Sequence, residues 1–296
     1  MPQSRPDRRQ TGGSKKKKTR SGGGKRPEPR TAFQHLTQLV KWVDLVIEVL
    51  DARLPVSTRH PQSDSIFGSC PRMLVMTKQD LADPKQAAVL RDRLEKSTGL
   101  PCMSLSLKRS SGKAELLDIA VEATRPKLES LIAKGIRPRP MRVCVVGLPN
   151  VGKSSLINWL IGRKKTKTGD RPGITQGTQW VRVHPQLELL DTPGILPPIA
   201  FTPIVQTKLA MMNLLPERNY DTATTANNAL LILRERYGDL LENYTAGLSQ
   251  PDKDLTHFAQ SRNLITSGAN PDIQRAAQVF LSDLRDGRVG RVTLDE

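Results

Sequence analysis

The chain has 296 residues, 37% hydrophobic and 25% charged, and its 46 Lys+Arg against 29 Asp+Glu give a formal charge of +17. That length sets an expectation of two domains with packed cores, and the basic excess points to a polyanionic partner, nucleic acid before an anionic membrane surface. Three scattered cysteines (Cys70, Cys102, Cys144) argue against a disulfide scaffold or zinc site, no apolar run approaches the ~18–20 residues of a membrane span, and the basic, polar N-terminus has no apolar core behind it, unlike a secretory signal.

Residues 1–30 carry eleven Lys/Arg against Asp7 and Glu28, so they hold +9 of the +17. Rich in Gly, Ser and Pro and nearly free of apolar residues, they read as a disordered basic arm that seeks phosphate. From residue 31 strand and helix patterns alternate. A helix is expected over Phe33–Val43, then a strand over Leu45–Leu50 ending at Asp51. Met73–Met76 is a second strand, Pro84–Ser97 a helix stopped by Gly99, and Cys102–Leu107 a third strand. A helical stretch begins after Gly112, and Val143–Val146 is a further buried strand. Trp180–Val183 and Leu187–Leu190 pair as a hairpin. Near-continuous apolar strands separated by helices argue a mostly parallel sheet covered on both faces. After about residue 199 the strand patterns stop. Leu230, Leu233, Tyr237, Leu241 and Tyr244 share one helical face, and Ile273, Ala276, Ala277, Phe280 and Leu284 another, with Asn270 as N-cap, Pro271 in the first turn and Gly287 as stop. The expected organisation is an arm (1–30), an α/β domain (31–198) and a small all-helical domain (199–296).

Gly147-Leu-Pro-Asn-Val-Gly152-Lys153-Ser154 fits G-x-x-x-x-G-K-[ST] and lies between a strand and a helix, as a phosphate loop requires. Its backbone N–H groups, those of Val151, Gly152 and Ser155 among them, would close around phosphate oxygens. Lys153 would reach the β- and γ-phosphates and the Ser154 hydroxyl would ligate Mg²⁺. Asp191-Thr-Pro-Gly194 ends the next strand pair: Asp191 is placed to hold the metal through water and the Gly194 N–H to sense the γ-phosphate. Thr175, in the intervening Arg-Pro-Gly-Ile-Thr loop, offers a hydroxyl to the same metal. Thr77-Lys78-Gln79-Asp80 ends an earlier strand. A carboxylate at Asp80 suits the N1–H and N2 donors of guanine, with the Lys78 stem covering the ring. Ser104-Leu-Ser106-Leu-Lys108 follows the next strand and would bring backbone N–H groups to the guanine carbonyl.

These motifs resemble those of the Ras-like GTPase fold, with the base-recognition elements ahead of the phosphate loop. That order is similar to the circularly permuted GTPases, and LVIEVLDARLPVSTRHP, DRPGITQGTQW and AAQVFLSDLRDGRVGRVTL resemble the YlqF/RbgA branch of bacterial ribosome-assembly GTPases over roughly residues 40–294. The resemblance implies a circularly permuted Ras-like P-loop domain followed by a helical rRNA- and ribosome-binding domain. It implies hydrolysis of GTP with Mg²⁺ as a switch in maturation of the large ribosomal subunit. Asn150, by the same resemblance, is a candidate ligand for K⁺. The expected partners are the large-subunit precursor and rRNA, for a cytoplasmic monomer.

Three departures from the family stand out. Thr77 replaces the usual Asn of the base motif, as in Rho-type GTPases. The family's histidine in a Pro-Gly-His segment has no counterpart in KRPEPRTAF, where Pro29 falls at about that place and His35 comes six residues later. Residues 208–225, interrupted by Pro216, differ from the family's first C-terminal helix. Ile195 stands where Ras-like enzymes keep a water-orienting glutamine, so slow intrinsic turnover is expected, with activation by the ribosomal subunit. Release of Gly194 on loss of the γ-phosphate would pull on the helical domain that follows it. Two alternatives stay open: a nucleotide-gated RNA-binding scaffold with little hydrolysis, and a P-loop ATPase with an RNA-binding arm.

Overall fold

The computed structural model describes residues 36, 39–108, 111–162, 180–191, 194–196, 200–245 and 254–296. The basic arm, His35 and the Thr175 loop lie outside the described residues. Everything described belongs to one compact unit within residues 31–296.

Among the described residues seven strands form one sheet: β1 (Leu45–Asp51), β2 (Arg72–Thr77), β3 (Cys102–Ser104), β4 (Met141–Gly147), β5 (Trp180–His184), β6 (Leu187–Leu190) and β7 (Gly194–Ile195). Their order is β3-β2-β1-β4-β6-β5, with β7 paired on β4. All pairings are parallel except the β5/β6 hairpin. The reason lies in the residues. All seven positions of β1 are buried. Leu45, Ile47 and Val49 enter one apolar cluster, while Val46 joins a second with Cys144 and Val146. A strand buried on both faces has no solvent side and sits inside a covered sheet.

Helices α1 (Ser63–Phe67), α2 (Pro84–Thr98), α3 (Lys113–Ala133) and α4 (Lys153–Ile161) accompany the strands. α2 has clear signals at both ends: the Asp83 side chain accepts from the Lys85 and Gln86 N–H groups, Pro84 begins the helix, and Gly99 ends it in a left-handed conformation. Beyond β7 the described elements are helical: α5 (Pro203–Met211), a 3₁₀ turn at Glu217–Asn219, α6 (Thr222–Arg236), α7 (Gly238–Thr245), α8 (Leu255–Ser261) and α9 (Ile273–Asp286). Met211, Leu230, Phe258 and Phe280 of these helices share one continuous core with Val49, Val145 and Leu156 of the sheet and α4.

The structure corrects four local expectations. β3 stops at Ser104 rather than running to Leu107, because Ser106 turns its hydroxyl to Asp80. The face through Leu230 and Tyr244 belongs to two helices. The break falls at Tyr237, which leaves helical geometry (φ −139°) while its hydroxyl donates to the Thr293 carbonyl and accepts from the Thr293 N–H. The N-cap of α9 is Asp272, whose carboxylate accepts from the Arg275 N–H; Asn270 instead pairs its carbonyl with the Thr266 N–H. Of the expected first helix, Leu36, Leu39 and Val40 are helical, and the chain turns at Lys41–Trp42 before reaching Val43.

The cap reassignment is measurable. Asp272→Ala is expected to lower stability by about 1 kcal/mol, the usual worth of a helix N-cap, and Asn270→Ala by a few tenths at most. Urea unfolding of both variants checks it, and the reverse ranking would restore Asn270 as the cap.

Candidate functional site

The carboxyl ends of the parallel strands converge on one edge of the sheet, where ligands of open α/β sheets bind. Asp51 ends β1, Thr77 ends β2 and Gly147 ends β4. Asp191 follows β6 and is brought beside β4 by the Val143–Leu189 and Val146–Gly194 pairings on either side of it. β4, the strand that feeds the phosphate loop, sits between β1 and β6, while the strands bearing TKQD and SLK lie outward on the β1 side.

The phosphate loop rests against Thr77. That side chain is fully buried and its hydroxyl donates to the Val151 carbonyl. Gly152 makes the approach possible: its φ is +104°, and a Cβ there would sit 3.2 Å from the Thr77 Oγ1. α4 begins at the next residue, so its first N–H groups and positive end face the loop. The Lys153 ammonium folds back onto the Leu148 carbonyl at 2.6 Å, and burial alone holds it below the usual lysine value. A partly buried cation shifted by burial fits an incoming anion, which would supply the missing countercharge. Ser154 and Ser155, on the first turn, are exposed.

Beneath the loop lies a buried ion cluster. The Asp51 carboxylate is fully buried and accepts from Arg53 Nε at 2.9 Å and Nη2 at 2.8 Å. Lys78 Nζ reaches the same carboxylate at 2.8 Å and also donates to the Asn150 carbonyl at 2.9 Å. Burial by itself would raise the Asp51 carboxyl, but the two cations outweigh it and hold the group at about 2. Lys78 sits below its usual value because it is partly buried and shares Asp51 with Arg53. Asn150 Nδ2 in turn donates to the Asn213 carbonyl, just past α5, at 2.8 Å. Lys78, Asn150 and Asn213 all have positive φ, between +55° and +60°. Three left-handed residues joined by hydrogen bonds mark a place where local strain is held by its surroundings.

Asp80 forms the other side of the site. Its carboxylate accepts from Ser106 Oγ at 2.9 Å and pairs with Lys108 Nζ at 2.9 Å. Burial would raise this carboxyl, yet the Lys108 and Ser106 bonds outweigh it and keep it below the usual range. A cleft of about 550 Å³ opens here between Lys78, Asp80, Lys108 and Ser155 on one side and Arg285 and Asp286 of α9 on the other. The Gly152–Ser155 turn and the Thr77–Asp80 loop therefore line one space. Among the described residues no group of three or more His, Cys, Asp or Glu could by itself hold a metal ion. A cation here would draw on the Ser154 hydroxyl, Asp191 and phosphate oxygens, the few-ligand arrangement that suits Mg²⁺.

Residues 142–265 match the family described as "50S ribosome-binding GTPase". Over 276 residues the chain is 34% identical to ribosome biogenesis GTPase A of Bacillus cereus, covering 89% of this chain and 90% of that protein. The chain belongs to the ribosome biogenesis GTPase A family. The family's Thermotoga maritima member is 30% identical, covering 89% of this chain and 90% of that protein. GNP-bound YlqF from T. maritima superimposes with a TM-score of 0.64 at 26% identity, covering 88% of this chain and 96% of that one, and its GDP-bound structure gives the same score. The circularly permuted GTPase fold implied by the motif order is thereby established, and the ATPase alternative falls away.

Thr77, Lys78, Asp80, Lys108, Gly152 and Ser155 line one cleft, with Ser106 bonded to Asp80 and the Asn150 carbonyl to Lys78. Gly194 pairs with Val146 of β4, next to the phosphate loop. Thr175 lies outside the described residues. The linking residues escaped the sequence reading. Arg53, two residues past the strand end, is visible as a charge in an apolar run. Asn213 meets its partner Asn150 across 63 residues and Arg285 meets Arg53 across 232, and neither carries a local signal.

The cluster sets a pH dependence. A carboxyl lowered from 3.8 to about 2 stabilises the fold fully above pH ~4, and that stability, ~2 kcal/mol, is lost as pH falls from ~4 toward 2. Asp51→Asn should remove this acid-dependent part and cost about 3–5 kcal/mol at neutral pH by leaving the buried Arg53 and the partly buried Lys78 without their anion. Unfolding free energies from pH 2.5 to 7 check both; an unchanged acid limb would disconnect Asp51 from stability.

Proposed function

We propose that this GTPase acts as a nucleotide-driven switch on a precursor of the large ribosomal subunit. Supporting this reading above all is the single cleft that joins the Gly152–Ser155 turn to the Asp80 carboxylate. One ligand with a polyphosphate at one end and guanine at the other fits that pair of sites. In this reading the N–H groups of Val151, Gly152 and Ser155 hold the phosphates and Lys153 leaves the Leu148 carbonyl for the β- and γ-phosphate oxygens. Asp80 exchanges its Lys108 and Ser106 partners for the N1–H and N2 donors of guanine, and the Lys78 and Lys108 stems line the ring's faces.

Ser154, Thr175 and Asp191 would hold Mg²⁺, which when bound neutralises charge on the phosphates. The Gly194 N–H reports the γ-phosphate. Asn150 commits Nδ2 to Asn213, and its Oδ1 is left as an acceptor for K⁺. Ile195 follows Gly194 beside the loop and offers no group to orient water, so turnover is slow until the subunit supplies one. The same residue favours the second reading, a GTP-gated RNA-binding scaffold.

The basic arm and residues 199–296 bind rRNA in this reading, as a cytoplasmic monomer. Multiple-turnover GTP hydrolysis with and without purified large-subunit precursors is the test. A rate increase of at least about tenfold with precursors, absent in Lys153→Ala, is expected for a switch of this class. No increase would favour the scaffold. Higher rates in potassium than in sodium, erased by Asn150→Ala, are expected; equal rates would remove Asn150 as a cation ligand.

For the arm, deletion of residues 1–30 should weaken RNA binding uniformly across sequences and flatten the salt dependence by roughly three to six phosphate contacts, at a slope of about −0.7 to −0.9 each. Binding titrations at several potassium chloride concentrations measure it. Identical slopes would place the electrostatic contact on residues 31–296 instead.

A further inference from the structure

The base loop Thr77–Ala82 is held from behind by residues 287–292, which follow α9. Arg291 Nε donates to the Ala82 carbonyl at 2.8 Å and its Nη2 to the Gln79 carbonyl at 2.9 Å. These two carbonyls flank Asp80 and Leu81. The Val292 N–H donates to the Leu81 carbonyl at 3.1 Å, so three carbonyls of this loop, at positions 79, 81 and 82, are taken by two adjacent residues. Gly287 packs on the loop: with φ +79°, a Cβ there would lie 2.8 Å from Leu81 Cδ2, so that side chain would have to shift. Arg291 also borders a second cleft beside Asp80, lined with it by Gln79, Ser106 and Glu115. Arg285 and Asp286, just ahead of this segment, form the far wall of the nucleotide cleft.

We propose that Arg291 is a positioning residue for guanine recognition, acting through Asp80, and that residues 287–292 are a strap tying base affinity to the helical region. The inference rests on the reading of Asp80 as the guanine contact. A carboxylate that must meet two donors in the plane of a base gains affinity only when its backbone is fixed, because a second hydrogen bond at the wrong angle contributes little. The guanidinium spans the loop with a planar fork, which a lysine cannot reproduce. Loosening the loop therefore harms the two-donor base more than a one-donor base. Displacement of α9 would do the same, so whatever moves the helical region changes how tightly the base is held.

The test uses the full chain and equilibrium titration of GDP, IDP and ADP. IDP keeps the N1–H of guanine and lacks the 2-amino group. Arg291→Ala should weaken GDP by roughly tenfold, about the worth of one net hydrogen bond lost at the base, and IDP by about threefold, leaving ADP unchanged. Arg291→Lys should recover part of the GDP affinity. In Asp80→Ala the GDP preference should already be lost, and adding Arg291→Ala should change nothing further. An Arg291→Ala variant that weakens all three nucleotides equally, or leaves the GDP-to-IDP ratio intact while Asp80→Ala collapses it, overturns the positioning role. A GDP-to-ADP ratio untouched by Asp80→Ala would instead overturn the base reading itself, which separates the two failures. Unchanged ADP affinity in the variants also shows that the site is folded.

Discussion

Asp51 is the charge on which the arrangement of the nucleotide edge depends. It ends the central strand β1 with no solvent exposure, and a carboxylate in that position is tolerable only when fully paired. Arg53 and Lys78 supply the pairing, and each then spends its remaining donors elsewhere. Lys78 reaches the phosphate-loop carbonyl of Asn150. Arg53, itself buried, donates Nη1 to the Arg285 carbonyl at 3.0 Å. One buried anion thus fixes the base loop, the phosphate loop and the end of α9 with respect to one another.

The helical region is joined to the sheet at more than this point. Arg285 uses its guanidinium on the Ala210 and Met211 carbonyls, so the end of α9 is tied to the end of α5, and Asn213 beyond α5 takes the Asn150 amide. Asp295, nearly buried, accepts from the Val56 and Ser57 N–H groups at 2.8 Å each and from the Ser57 hydroxyl at 2.6 Å. The Leu294 N–H donates to the Arg53 carbonyl. In a permuted chain the segment after DTPG leaves the sheet for the helices. These bonds return the helices to the loops at the ends of β1, β2 and β4, so the helical region and that edge of the sheet share a common set of residues.

Much of this was legible in the sequence, and the rest was not, for physical reasons. The phosphate loop, TKQD and DTPG are local patterns: their chemistry needs particular residues at fixed spacing beside a strand end, and the chain declares both. The parallel sheet was legible from runs such as LVIEVL, whose burial on both faces leaves no alternation. Helix ends were less so. Asn270 and Asp272 are equally good caps in isolation, and the choice was made by a pairing of Asn270 with Thr266. Tyr237 has helical spacing with Leu233 and Leu241, yet its hydroxyl is held by Thr293, and a tertiary bond overrode the period. Arg291, Asn213 and Asp295 act on partners from about 60 to 240 residues away, and nothing in their own neighbourhoods announces it.

Amide hydrogen exchange of the full chain, with and without saturating GDP, tests the coupling most directly. Exchange reports local opening, so groups tied to the nucleotide edge should be protected together when it is occupied. Protection is expected to rise in residues 77–82 and 147–155 and, in the same sample, in residues 210–215 and 285–295. Protection confined to the two loops, with the helical segments unchanged, would contradict a nucleotide edge and helical region joined through Asp51.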